Sequence, residues 1–183
     1  MHSGVAMKST GFLYDERFFN HVTGPYHPEV PERLTAIYQG IEQKGLLEHL
    51  TIIPAQPADR MWIELVHDKA YVDRFEAACR NGQATFDSPD NQMGPETFPT
   101  ALLAVGGVLD TVDRIIAGEI DNAFCAVRPP GHHAERSKAM GFCYFNNAAI
   151  AAAYLQTKWF LQRVAIIDID VHHGNGTQHI FEE

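Results

Sequence analysis

The apolar positions of this chain follow two rhythms. Leu34, Ile37, Tyr38 and Ile41 recur at helical spacing behind Pro31, a residue suited to a first helical turn, and predict a helix over 32–44 with one core-facing stripe. Further helices are expected over 61–66, 69–80, 97–117 and 146–157. In the fourth of these five, Ala101, Gly106 and Gly107 allow close packing. The second rhythm is a set of short apolar runs. Gly11-Phe12-Leu13-Tyr14, Leu50-Thr51-Ile52-Ile53, Ala123-Phe124-Cys125-Ala126-Val127 and Val164-Ala165-Ile166-Ile167 read as strands, the last as a buried parallel one. Residues 81–95, rich in Asp, Pro, Asn and Gly, read as a loop, and 1–10 as a flexible start before a single domain over 11–183. Strands alternating with helices indicate an α/β fold, a parallel sheet with flanking helices.

Two of the predicted strands run directly into chemistry. Val164-Ala165-Ile166-Ile167 leads into Asp168-Ile169-Asp170-Val171-His172-His173-Gly174-Asn175-Gly176-Thr177, where the strand is expected to give out into a glycine-bearing loop. Side chains two apart on an extended chain share a face, so Asp168, Asp170 and His172 are expected to point together. Two carboxylates and an imidazole buried at a strand end need a metal or a hydrogen-bonded network to offset desolvation. The second strand, 123–127, leads into Arg128-Pro129-Pro130-Gly131-His132-His133-Ala134-Glu135. Parallel strands deliver their carboxyl ends to one side of the sheet, where α/β proteins place their sites. Four imidazoles and two aspartates can therefore converge.

Charge and cysteine content narrow the classes of function. A net charge of −9 argues against direct nucleic-acid binding, which needs a basic face. A solvated surface accounts for the acidity, with steering of cationic substrates as the alternative. Cys79, Cys125 and Cys143 lack metal-type spacing, so reduced thiols and a cytoplasmic location are expected. No apolar run has the length of a membrane span, and no cleavable signal pattern is present.

Residues 128–147 (RPPGHHAERSKAMGFCYFNN) followed by 168–178 (DIDVHHGNGTQ) resemble the zinc-dependent histone deacetylase family. The resemblance is to its class II and bacterial deacetylase-like or acetylpolyamine amidohydrolase-like branch. Earlier segments agree: Tyr26-His27-Pro28-Glu29, Pro31-Glu32-Arg33-Leu34, Val66-His67-Asp68 and 90–107. The resemblance implies an arginase/deacetylase-like α/β fold, incomplete here because it spans the amino-terminal half of the family domain. The family's third zinc ligand, its glycine-rich segment and its catalytic tyrosine come later than the second doublet. In that architecture late strands insert between early ones, so the strand carrying Asp168 is expected to re-pair or to borrow a partner chain, through a homodimer or a complementing chain.

The resemblance also implies roles. Asp170 and His172 match the first two zinc ligands. Asp168 matches an aspartate that contacts an active-site histidine and helps a structural potassium site. His132 and His133 match the tandem histidines, the second being the favoured general base, and Asn175 stands where some relatives carry an aspartate paired with it. Gly141 and Phe142 match the wall of the channel for an acylated lysine stem. Tyr26, His27 and Arg33 are candidates to line the interior behind the metal, and Asp87 and Asp90 to grip substrate at the rim. The implied cofactors are zinc and potassium, and the implied activity is removal of acetyl groups from acetyl-lysine or acetylpolyamine. Two alternatives stand beside it: a catalytically silent metal-binding or interaction module, and, more distantly, a binuclear-metal ureohydrolase.

Overall fold

The structure, a computed structural model, describes residues 9–182. The expected flexible start lies for the most part outside them. Thr10 already belongs to the first strand, β1 (Thr10–Leu13), which sits between β2 (Leu50–Ile53) and β5 (Asn122–Cys125) in a three-stranded sheet of order β2-β1-β5, parallel throughout. Phe12 and Leu13 are wholly buried in this central strand, and both outer strands register against it residue for residue. The parallel sheet with flanking helices is thus as the sequence indicates.

The helices follow the predicted periodicity closely: α1 (Glu32–Gln43), α2 (Arg60–Ile63), α3 (Lys69–Arg80), α4 (Thr97–Ile116) and α5 (Asn147–Trp159). Leu34 is buried, and Ile37, Tyr38 and Ile41 pack with it against the core that contains β1. The long α4 contributes to two cores. Leu103 and Ala104 join Phe12, Leu13 and Ile53, whereas Ala101, Val105 and Leu109 join an aromatic cluster built from Tyr71, Phe75, Tyr144 and Phe145. Phe75 stacks on Tyr144 at 4.7 Å between ring centroids. Such offset stacks add to area burial and fix the angle of the residues that follow.

Three expectations are corrected. Residues 81–95 are not simply a loop: β3 (Thr85–Phe86) and β4 (Ser88–Gln92) form an antiparallel hairpin there, closed at Asp87 with φ of 62°. Its turn residues masked a sheet whose strands are too short for an alternation pattern. Residues after the second doublet, expected to be loop, wind into a short helix, α6 (Asn175–Phe181). The run 164–167 forms no strand. Ile167 is 85% exposed, Ile169 94% and Val171 93%. An apolar run becomes a strand only beside a hydrogen-bonding neighbour, and β5, the sheet edge, pairs with β1 alone among the described residues. Re-pairing of this segment with β5 therefore does not occur.

Candidate functional site

The loop after β5 is held by a buried ionic knot. Arg128 donates from Nε and Nη2 to the two carboxylate oxygens of Glu29, each at 2.6 Å, and from Nη1 to the Phe18 carbonyl at 3.0 Å. Burial alone would raise the Glu29 pKa, but the hydrogen bonds from Arg128 and the proximity of His21 outweigh it and hold the carboxyl down at about 2. His21, also buried, approaches Glu29 at 3.4 Å through Nε2 and pairs with Thr97 Oγ1 at 3.0 Å through Nδ1. This knot fixes where the chain leaves the sheet and begins Pro129-Pro130-Gly131-His132-His133. Sequence reasoning quoted Glu29 and Arg128 without giving them this role. A charged residue placed directly behind an apolar strand was the available signal.

A second buried histidine closes the loop from below. His67 donates from Nδ1 to the Glu135 carbonyl at 2.8 Å and accepts the Asn146 N–H at Nε2 at 2.9 Å. Burial lowers its pKa to about 4, so it is neutral and can fill both roles. Asn146 in turn caps α5 by accepting from Ala149 N–H, and its amide donates to Thr177 on α6.

On this base the two doublets meet. The His132 and His133 ring centroids are 4.0 Å apart, and His133 lies 6.0 Å from His172. His132 Nδ1 donates to Asp168 Oδ2 at 2.9 Å, and His133 Nδ1 to Asn175 Oδ1 at 2.7 Å. A cavity of about 290 Å³ is lined by His132, His133, Gly141, Phe142, Cys143, Asp170, His172 and Arg33. Gly141 has φ of 55°, and a Cβ on it would stand 2.2 Å from the His133 ring, so only glycine lets the wall approach this imidazole. Gly176 serves the other doublet in the same way. A Cβ there would meet the Ala134 carbonyl at 2.2 Å, and without one α6 lies directly on the His133–Ala134 backbone.

Asp170 and His172 differ from expectation in burial. Their side chains are 50% and 73% exposed, so no desolvation penalty demands a partner for them. They remain well placed as a pair: Asp170 Oδ1 and His172 Nδ1 are 3.0 Å apart. Two ligands at 2.0–2.1 Å from a tetrahedral zinc stand roughly 3.3 Å apart, so the pair fits two corners of such a site. Among the described residues no third histidine, cysteine, aspartate or glutamate completes a metal-holding group. Hydrogen bonding to His172 lowers the Asp170 pKa, first through its backbone N–H and then through its ring. The hydrogen bond to His132 does the same for Asp168. Burial pushes the Cys143 thiol up to about 12, so it lines the cavity as a neutral group.

The remaining candidates separate. His27 packs edge-on against Phe142 at 4.4 Å, accepts the Glu29 N–H and donates to the Asp90 carbonyl at 2.9 Å, which makes it a support for the wall. Arg33 reaches the cavity from α1. Tyr26 is 99% exposed and does not line the interior, because the turn at 24–27 faces it outward. Asp87 pairs inside the protein through both oxygens, one with Arg74 and one with the Ala139 N–H at 2.8 Å, which ties the hairpin turn to the segment before Met140. Asp90 is exposed and accepts from the Ser88 hydroxyl. Asn91, which sequence reasoning passed over, is fully buried. It accepts the Phe142 N–H at 2.9 Å and donates to the Phe86 carbonyl at 3.0 Å, and Phe142 itself is held at φ of 69°.

Known proteins resemble this arrangement. The histone deacetylase domain model matches residues 27–183. Polyamine deacetylase HDAC10 of Mus musculus is 40% identical over 160 residues, covering 85% of this chain and 24% of that protein. The histone deacetylase-like amidohydrolase of Pseudomonas aeruginosa is 35% identical over 191 residues, covering 95% of this chain and 50% of that protein. The crystal structure of the HDA15 HD domain superposes with a TM-score of 0.88 at 37% identity, covering 96% of this chain and 51% of that one, and bears out the arginase/deacetylase-like fold. The chain thus spans between about a quarter and about half the length of these relatives. Convergent histidine doublets beside a parallel sheet, together with these likenesses, identify the chain as belonging to the histone deacetylase family.

Proposed function

We propose that this chain contributes the tandem histidines, two metal ligands and the channel wall of a zinc-dependent amide hydrolase that removes acetyl groups from acetyl-lysine or acetylpolyamine. The observation that carries this reading is the single cavity shared by His132, His133, Asp170, His172, Gly141 and Phe142. Asp170 and His172 would hold the zinc, which when bound supplies Lewis acidity toward the acetamide carbonyl and toward water. Phe142 and Gly141 bound the slot that receives the methylene stem, where an aromatic face packs against the chain. His133 keeps its Nδ1 proton on Asn175, so its Nε2 lone pair is free to take a proton from water. His132 is bonded to the Asp168 carboxylate, which keeps a proton on its Nδ1 and fixes the ring, and suits it to orient the substrate. Asp168 accepts from His132 and from the Asp170 N–H, which supports a role in positioning His132.

The relatives named polyamine deacetylase support an acetylpolyamine substrate, and the acidic surface is compatible with a cationic one. The test is zinc content after purification in trace zinc, with turnover of acetyl-lysine and acetylspermidine substrates compared side by side. Chelator-sensitive turnover with about one zinc per chain supports the reading. Zinc binding without turnover supports the second reading, a silent metal-binding module, which the two-ligand set favours. Absence of zinc binding overturns both.

A further inference from the structure

The two site histidines are oriented by unlike partners, and the unlikeness carries a consequence. His132 faces a carboxylate. Both oxygens of Asp168 only accept, so either rotamer of that carboxylate demands a proton on His132 Nδ1. His133 faces an amide. Asn175 can present either its oxygen or its NH2 group, and the two orientations impose opposite tautomers on the imidazole. With Oδ1 toward the ring, Nδ1 carries the proton and Nε2 offers a lone pair to the cavity. With the NH2 toward the ring, Nδ1 must accept and Nε2 carries the proton, which leaves no base in the cavity.

What selects between them lies on the far side of the amide. Asn175 Nδ2 donates to Glu135 Oε1 at 2.8 Å, and it also lies 3.5 Å from the His133 carbonyl oxygen and 3.3 Å from Met140 Sδ. All three are acceptors. The charged one dominates, because hydrogen bonds to ionised groups are roughly twice as strong as neutral ones. Glu135 is itself held in place by His179 of α6, whose Nδ1 stands 2.9 Å from the same oxygen. An amide flipped about its side-chain axis would turn its oxygen onto that carboxylate, which is repulsive.

We propose that Glu135 is a positioning residue that fixes the orientation of the Asn175 amide and thereby sets the tautomer of His133. The inference rests on the reading of His133 as the base for its functional meaning, though not for its structural content. Glu135 does not line the cavity. It acts through one amide, and the His133–Asn175–Glu135–His179 chain joins the first doublet loop to α6.

The test is long-range 1H–15N correlation of the imidazoles in histidine-labelled protein, with His133 assigned by its substitution to Gln. The wild type is expected to hold His133 mainly as the Nδ1-protonated tautomer. Glu135→Gln, nearly isosteric but able to donate, should lower the ratio of that tautomer to the other at least about threefold, since a neutral acceptor is roughly half as strong. Glu135→Lys, which can only donate, should invert it. Adding Asn175→Asp to either variant should restore it, because a carboxylate accepts in both orientations. Lack of response to both Glu135 variants, or lack of restoration by Asn175→Asp, overturns the proposal. A tautomer that follows these predictions while acetyl-lysine turnover of the zinc-loaded protein does not would uphold the proposal and sink the assignment of His133 as base.

Discussion

The two histidine doublets look equivalent in sequence, each leaving an apolar run, yet the structure treats them differently. The loop of His132 and His133 rests on buried polar groups: the Glu29–Arg128 pair, His67, Asn146 and Asn91. The segment of Asp170 and His172 has mainly local hydrogen bonds and flanking aliphatics that face solvent. One doublet is pre-positioned by tertiary structure, whereas the other lies on an exposed segment that forms no strand. The Asp170–His172 pair thus forms without burial, whereas the orientation of His133 depends on a supporting shell.

The largest effect expected from that contrast is at Arg128. Arg128→Met leaves the Glu29 charge buried and unpaired, and should cost about 3–5 kcal/mol in chemical denaturation. A loss below about 1 kcal/mol would mean that the knot is not what holds the doublet loop. Acid should find the same region. His67 has a pKa of about 4 in the folded chain, against 6.5 when unperturbed. Its neutral form therefore contributes stability that is complete above pH 6.5 and is lost as pH falls from 6.5 toward 4. Glu29 adds a further loss from its ordinary 4.5 down toward 2. Urea midpoints at pH 7, 5.5 and 4.5 should fall by up to about 1.4 kcal/mol per pH unit per proton taken up, and His67→Gln should flatten the upper part of that fall.

Intermediate effects are expected where the two regions touch. Gly176→Ala drives a methyl into the Ala134 carbonyl and should cost about 1–3 kcal/mol. Asn91→Ala strands the Phe142 N–H and the Phe86 carbonyl, with a loss of about 1–3 kcal/mol in the same assay. The smallest effect should come from the exposed segment. Ile169→Ser should lie within about 0.5 kcal/mol of the parent, as surface substitutions do. A cost of several kcal/mol would show Ile169 buried in solution by a neighbour, and would erase the contrast between the doublets.

Much of this was legible beforehand. The helical stripe Leu34, Ile37, Tyr38 and Ile41 and the runs that became β1, β2 and β5 follow from periodicity, which a chain carries locally. The doublets were likewise readable as types of chemistry, whereas Gly141 and Phe142, which line the cavity, were singled out through the family resemblance. The hairpin at 85–92 was not, because Pro89 and neighbouring turn residues conceal strands of two and five residues. Roles for Asn91, Glu135 and His67 were not readable either, since each depends on partners 40 to 80 residues away.

By itself, then, the sequence determined the helices α1 to α5, the runs of β1, β2 and β5, the parallel sense of their sheet and the residue types of the two doublets, because these rest on spacing along one chain. Tertiary structure alone decided that 165–171 stays exposed, that Asp87 pairs with Arg74 and the Ala139 N–H, and that His133 faces an amide held by Glu135. Burial and hydrogen-bond partnership are properties of what lies across the fold, and local pattern does not encode them.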